Sequence, residues 1–368
     1  MNPKAQAGLE YLMTYGWALV LVAAIVGVLV FVASSPASSA VFSSSDAAKM
    51  PLKSSALSGA SAEIMLQNLT GGEIEVESVH FFGGLGAGSG FSLNGEAVFP
   101  VSVPVGSELL FSGLAADAGC SGGGSMLAFY TDRFGFERTV RVNCNGGAKM
   151  PVLWYRFEEG IGEFASDGSG NGNDGTLFPV GSEPAWVSGC PSGKCLQFAG
   201  DDYVIKNPFP AFPSGEISAS FWMRSSDSIN DGTPVSYAVS GGDNHFLLYS
   251  YRGFSIFRNS SVSTGISANN GNWHHILVTW KGSDGRAKLF KDGAQAYSGT
   301  LASGTKISSG GSLVLAQEQD SVGGGFSASQ SFKGLMDEVK IFDRALTPFE
   351  VCSLCREHAA NAGVACSC

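Results

Sequence analysis

The chain has 368 residues, 44% of them apolar and only 15% charged, with 50 glycines. That length leaves room for more than one folded module, and the apolar content excludes a wholly disordered chain; abundant glycine with little charge points to turn-rich β structure made for export. Lys and Arg number 22 against 32 Asp and Glu, giving a net charge of −10, opposite in sign to what a phosphate backbone attracts, so nucleic acid is excluded as a partner.

No residue from Tyr11 to Ser45 is charged, and Trp17 to Ala33 is an apolar stretch. A bilayer core about 30 Å thick is crossed by roughly 20 such residues in a helix. Lys4 precedes the stretch and the next cation is Lys49, so the short end is expected in the cytoplasm and the bulk of the chain outside. Glu10, a lone carboxylate at the edge of this segment, is costly there and suggests a partner. The residues around it, Lys4-Ala5-Gln6-Ala7-Gly8-Leu9-Glu10-Tyr11-Leu12, resemble the class III signal of archaeal type IV pilin-like proteins. The resemblance implies cleavage by a prepilin peptidase between Ala5 and Gln6, with Glu10 as the fifth mature residue and the 6–33 helix assembling with other pilin subunits. Ala5 stands where the family more often has Gly. A plain signal anchor, with Glu10 among lipid headgroups, is the alternative.

Residues 34–60, rich in Ser and Ala, read as a spacer. In residues 61–150 alternation at Ile64/Leu66 and at Ile74/Val76/Val79 flanks Gly71-Gly72, which predicts a hairpin. SELLFSGL, SMLAFYTDRFG and FERTVRVNCNG continue the pattern into a small antiparallel β-sandwich, with Cys120 and Cys144 placed to close its last strands; archaeal pilin heads are similar.

Residues 151–351 carry many short alternating strands at near-regular spacing, which predicts a two-sheet jelly roll. The run from VLWYRFEEG to FKGLMDEVKIFDRALT resembles the laminin G-like, concanavalin A-type jelly roll, and Met336-Asp337-Glu338-Val339-Lys340-Ile341-Phe342 is its most recognisable piece. The loop of residues 167–175, DGSGNGNDG, reads as a turn in which Gly and Asn supply positive φ. No helical period competes. The expected class is mainly β: an N-terminal transmembrane or pilin helix, a small β-sandwich, a jelly roll, and a Cys-rich tail over 352–368.

Inside the jelly roll, AQEQDSVGGGFSASQSFKG and SYAVSGGDN resemble the two metal-binding segments of pentraxins. Their chemistry is legible from the residues: Asp243, Asn244, Glu318 and Asp320 offer side-chain oxygens, Gln319 a carbonyl and Gln330 an amide oxygen, and calcium takes six to eight such ligands. Glu318 and Asp320, two apart on a strand, would share a face and repel without a cation. Ser327 stands where pentraxins carry a further acidic ligand, so one calcium ion is expected. Tyr249 falls near the family's aromatic pocket. A purely loop-fixing ion is the plainer reading. A glycoside hydrolase using Glu318 and Asp320 as its carboxylate pair is a further alternative on this fold, weakened because Ser321-Val322-Gly323 follows where glucanases have another Glu.

His274 and His275 are adjacent, face opposite sides of a strand, and read as ordinary strand residues. Eight cysteines in an exported chain favour disulfides: Cys120 with Cys144, Cys190 with Cys195, and two bridges among Cys352, Cys355, Cys366 and Cys368, for which a zinc site is the alternative. Asn68 and Asn259 lie in glycosylation sequons. The sequence therefore predicts a membrane-anchored or pilus-associated surface adhesin, its bulk extracellular, whose calcium-dependent jelly roll recognises a glycan or a polar phospholigand. A structural envelope subunit without a soluble ligand is the rival.

Overall fold

The computed structural model describes residues 42–44, 48–58, 61–83, 92–93, 99–114, 124–144 and 150–367. The predicted 6–33 helix, with Ala5, Gln6 and Glu10, lies outside these residues, and so do Cys120 and Cys368. Among the described residues no helix is long and apolar enough to cross a membrane.

The strands are β1 (Phe42–Ser44), β2 (Leu52–Ser58), β3 (Ser61–Gln67), β4 (Ile74–Gly83), β5 (Ser92–Leu93), β6 (Val101–Val103), β7 (Glu108–Leu114), β8 (Gly124–Thr131) and β9 (Glu137–Cys144) in the first module. They form a five-stranded sheet, β1-β9-β8-β4-β6, over a four-stranded one, β2-β3-β7-β5. Two expectations change here. The stretch read as a spacer supplies β1 and β2, because Ser-rich LKSSALS pairs along β3 even though its own alternation is weak. Strands β3 and β4 are not a hairpin but belong to different sheets. The fully buried Asn68 makes that corner, its side-chain amide donating to the carbonyls of Gly72, Val103 and Pro104. Held this way, Asn68 has no nitrogen to offer a glycan.

The second module continues with β10 (Leu153–Tyr155), β11 (Phe164–Ala165), β12 (Gly175–Phe178), β13 (Ala185–Ser188), β14 (Lys194–Phe198), β15 (Tyr203–Phe209), β16 (Glu216–Arg224), β17 (Val235–Val239), β18 (Gly242–Tyr249), β19 (Ser255–Phe257), β20 (Ser261–Ser263), β21 (Trp273–Lys281), β22 (Arg286–Lys291), β23 (Ala294–Thr300), β24 (Gly311–Leu315) and β25 (Gly334–Phe342). One sheet runs β13-β14-β25-β16-β21-β22-β23 with β10 also on β25, and the other runs β11-β12-β15-β24-β17-β18-β19-β20. Their facing apolar residues, among them Phe221, Val278 and Ile341 from the first sheet and Val204, Tyr237 and Leu313 from the second, make one continuous core. This is the predicted two-sheet jelly roll.

The Cys-rich segment is not an irregular tail. Helix α1 (Pro348–Ala362) carries Cys352 and Cys355, and Thr347 and Glu350 form a capping box ahead of Pro348, with Gly363 in the left-handed conformation ending the helix. These start and stop signals outweigh the absence of a marked apolar stripe. Cys355 is bridged to Cys366 and Cys190 to Cys195; Cys144 and Cys352 are disulfide-bonded as well, and no described cysteine is free. Sulfur held in disulfides is not available to zinc, which removes that alternative.

The 167–175 loop is tied to its surroundings, with Arg141 donating to the Ser169 carbonyl. Asp167 accepts from the backbone nitrogens of Trp154, Ser169 and Asn173, which keeps its carboxylate inside the turn. The two modules meet around Arg156, which pairs with Glu137 at 2.7 Å and lies over the Phe129 ring, and around His80, whose Nδ1 meets Glu357 of α1. Glu357 also accepts from Lys340, which is paired in turn with Glu338, and Glu338 accepts from the Trp154 indole. The acids and base of the MDEVKIF strand are thus buried structural partners.

Candidate functional site

Strands β17 and β18 and the segment following β24 converge at one end of the second sheet. Asp243 and Asn244 open β18 directly after the Gly241 turn, where Gly241 takes φ +85°. Beyond β24 the chain breaks from strand geometry at Ala316, φ +74°, so Glu318, Gln319 and Asp320 sit in an irregular loop. The expectation that Glu318 and Asp320 share a strand face is corrected: Glu318 is buried, 3% exposed, and Asp320 is exposed.

Gln319 explains why the loop holds this shape. Its side-chain amide donates to the carbonyls of Ser236 on β17 and Ser312 on β24, and its Oε1 accepts from the Gly323 nitrogen at 2.8 Å. With the side chain used up, the Gln319 backbone carbonyl is the group it has left for a ligand. The loop's other end is tied to the segment before β17, since Asp231 N donates to Ser329 O and Thr233 N to Gln330 O. Gln330 is thereby brought beside Tyr249, whose hydroxyl donates to Asp231 at 2.6 Å.

Three of the predicted acids lie near enough to feel one another's charge. Burial first, then the charges of Asp320 and Asp243, push the Glu318 carboxyl up to about 7. Burial and the Asp231 carboxylate push the Tyr249 phenol up to about 12, with Gln330 and the Glu318 charge also acting on it. Two acceptor oxygens, Glu318 Oε2 and Asn244 Oδ1, are buried without a hydrogen-bond partner. An orphaned buried acceptor is expensive, and two in one acidic cluster fit a hard cation coordinated by oxygens. The donors the sequence singled out are all oxygens, charged in Asp243, Glu318 and Asp320 and neutral in Asn244, Gln330 and the Gln319 carbonyl, which is the chemistry calcium selects, though the three carboxylates do not all lie within 4.8 Å of one another. Among the described residues, the three acidic or imidazole groups whose ligand atoms lie within 4.8 Å of one another are Glu338, Glu357 and His358, where Lys340 already supplies the cation.

Ser327, at the position expected to be acidic, bonds instead to the Ser329 hydroxyl. Sequence reasoning missed Asp231, which orients Tyr249 and also lies 3.8 Å from Arg252. Nothing in the local sequence pattern points to it. His274 and His275 are satisfied strand residues. The first bridges Asp292 and Asn270; the second bonds Ser220, and burial pushes it down to about 3.

The family model described as Pentaxin family matches residues 199–365, a span that includes every one of these site residues. The second module contains a pentraxin-like domain. A 155-residue stretch is 43% identical to the sushi, von Willebrand factor type A, EGF and pentraxin domain-containing protein 1 of Rattus norvegicus, covering 40% of this chain and 4% of that protein. Human neuronal pentraxin-1 is 44% identical over 137 residues, 36% of this chain and 32% of its own length. The chain thus spans a third or less of these relatives. Among solved structures, a native heptameric SAP-like pentraxin from Limulus polyphemus is similar at 27% identity and TM-score 0.36, over 40% of this chain and 73% of that one. The pentraxin-like match begins after β14, so the first module and strands β10 to β14 fall outside it.

Proposed function

We propose that the pentraxin-like domain is a calcium-dependent binding module, carried on the outside of the cell, that recognises hydroxyls or anionic oxygens of a glycan or polar headgroup. The observation that supports this most is the pair of orphaned oxygens, Glu318 Oε2 and Asn244 Oδ1, together with burial and the charges of Asp320 and Asp243 that raise Glu318. Asp243, Asn244, Glu318, Asp320, Gln330 and the Gln319 carbonyl would hold the ion. When bound, it would supply a positive centre with ligand positions open toward Asp320, the exposed member of the set. Tyr249, kept in place by Asp231, would border the ligand. Ser327 in place of an acid favours a single ion.

The proposal extends to the N-terminus, where the sequence around Gln6 and Glu10 suits cleavage after Ala5 and a helix that anchors the protein or assembles with other pilin subunits. Mass spectrometry of the protein from its native membranes tests this half, since a mature chain beginning at Gln6 supports it and an intact Met1 or cleavage near Ala33 defeats it. The binding half is tested by presenting the full chain in detergent to immobilised glycans and phosphocholine-bearing vesicles, with calcium and with chelator. Binding that needs calcium and is lost in Asp320→Ala is expected; retention unaffected by either removes the reading.

A further inference from the structure

A second groove, lined by none of the proposed ion ligands, lies between the β13–β14 pair, the end of β16, the start of β25 and the loop that follows β16. Its volume is about 660 Å³, within the range that accommodates a small organic ligand. Arg224 and Lys333 line it, and both are exposed. Among the described residues neither has an acidic partner, in contrast to Lys340, Arg156 and Arg344, each paired within 2.9 Å. Arg224 is held in place by the Trp273 ring, 5.6 Å from its guanidinium carbon. The Lys333 stem rests against Gly200, where an added Cβ would meet Cε at 2.4 Å.

The single acid in this lining is Asp227, and its charge is already spent within its own loop. It accepts from the Ile229 nitrogen at 2.8 Å, the Asn230 amide at 2.6 Å and the Tyr251 hydroxyl at 2.7 Å. The remaining polar lining, such as the Gln197 amide and the Ser188 hydroxyl, is uncharged. A neighbouring cavity of about 500 Å³ shares Arg224 and continues past Trp273 to the end of α1. Its acid, Asp292, is likewise committed, to His274 and to the His275 nitrogen. The guanidinium therefore stands midway along an extended, polar, donor-rich groove on a chain whose net charge is −10.

We infer that this groove binds an acidic oligosaccharide, with Arg224 and Lys333 receiving its carboxylates and the uncharged lining its hydroxyls. Unpaired cations supply the complementarity, the neutral hydrogen-bonding groups suit sugar hydroxyls, and the length on either side of Arg224 suits a chain of rings. None of the lining residues belongs to the ion site, so binding here is independent of calcium.

The test is calorimetry of the full chain in detergent with trigalacturonate and with neutral galactotriose, in chelator and again with calcium, at low and at high salt. Expected is binding of the acid alone, weakened by salt and reduced about tenfold or more in Arg224→Gln/Lys333→Gln, with Asp320→Ala behaving as wild type. Because both side chains are exposed, the double variant should keep the wild-type melting temperature, and a change in tryptophan fluorescence on adding trigalacturonate that Trp273→Phe removes reports occupancy of this groove. The inference is overturned if trigalacturonate fails to bind at about millimolar concentration, if galactotriose binds equally, or if the double variant binds undiminished. Acid binding that appears only with calcium and vanishes in Asp320→Ala also overturns it, and assigns the saccharide to the ion site.

Discussion

Gln319 reaches back to Ser236, donating its side-chain amide to that residue's carbonyl at 3.0 Å, and so fixes a loop whose two neighbouring carboxyls would otherwise push apart. Replacing it with Leu removes buried hydrogen bonds to Ser236 and Ser312 and leaves their carbonyls unmet. We expect a loss of about 1–3 kcal/mol in unfolding free energy, measured by urea denaturation, together with weaker calcium binding because Glu318 and Asp320 are no longer held in register.

Glu318 makes the site pH-dependent. Its carboxyl titrates near 7 in the folded chain, above its ordinary value of 4.5, so between those limits the folded state keeps a proton that the unfolded state has released. Calcium-free stability therefore declines as pH rises through that window and levels off above about 7. Coordination needs the ionised form, so calcium affinity falls as pH drops below about 7, approaching tenfold per unit, and binding releases a proton. Titrations at several pH values check this, and Glu318→Gln should abolish the slope.

Lys340 is fully enclosed with Glu338 and Glu357 at 2.8 and 2.9 Å. Against its own burial, these carboxylates keep the ammonium charged. Lys340→Met removes the cation that Glu338 and Glu357 share, leaving them only His80, His358 and the Trp154 indole, and should cost about 3–5 kcal/mol, read by chemical denaturation. His80→Ala touches the same network from the first module, and limited proteolysis should then cut between the modules more readily.

The Cys355–Cys366 bridge ties the last residues of the chain back to α1. Cys355→Ala/Cys366→Ala should lower stability by about 2–4 kcal/mol and speed hydrogen exchange in α1, while leaving calcium affinity unchanged, because the helix packs on β21 and β23 of the other sheet.

Much of the jelly roll was legible because its strands alternate sharply between turns, as in WHHILVTWKG and MDEVKIF. The residues proposed for the ion site stood out in the sequence because their oxygens lie in two short motifs. What escaped has physical causes. The Ser-rich β2 has little apolar alternation of its own and becomes a strand by pairing with β3. The β3–β4 corner looks like a hairpin until the buried Asn68 side chain is seen to tie its own turn to the end of β6. Helix α1 announced itself through Thr347, Glu350 and Gly363, signals overshadowed by the cysteines around them. Asp231 gains its role only through contact with Tyr249 across the sheet, which no local pattern encodes.

The central claim, that Asp243, Asn244, Glu318, Asp320 and their neighbours hold a cation, is tested most directly by calorimetric titration of the full chain in detergent with calcium, alongside Asp243→Ala and Asp320→Ala. The account predicts saturable binding of one ion that both substitutions remove while the melting temperature in chelator is unchanged or raised by relief of the charge repulsion. Absence of calcium binding to the wild-type chain, or binding that survives both substitutions, would contradict it.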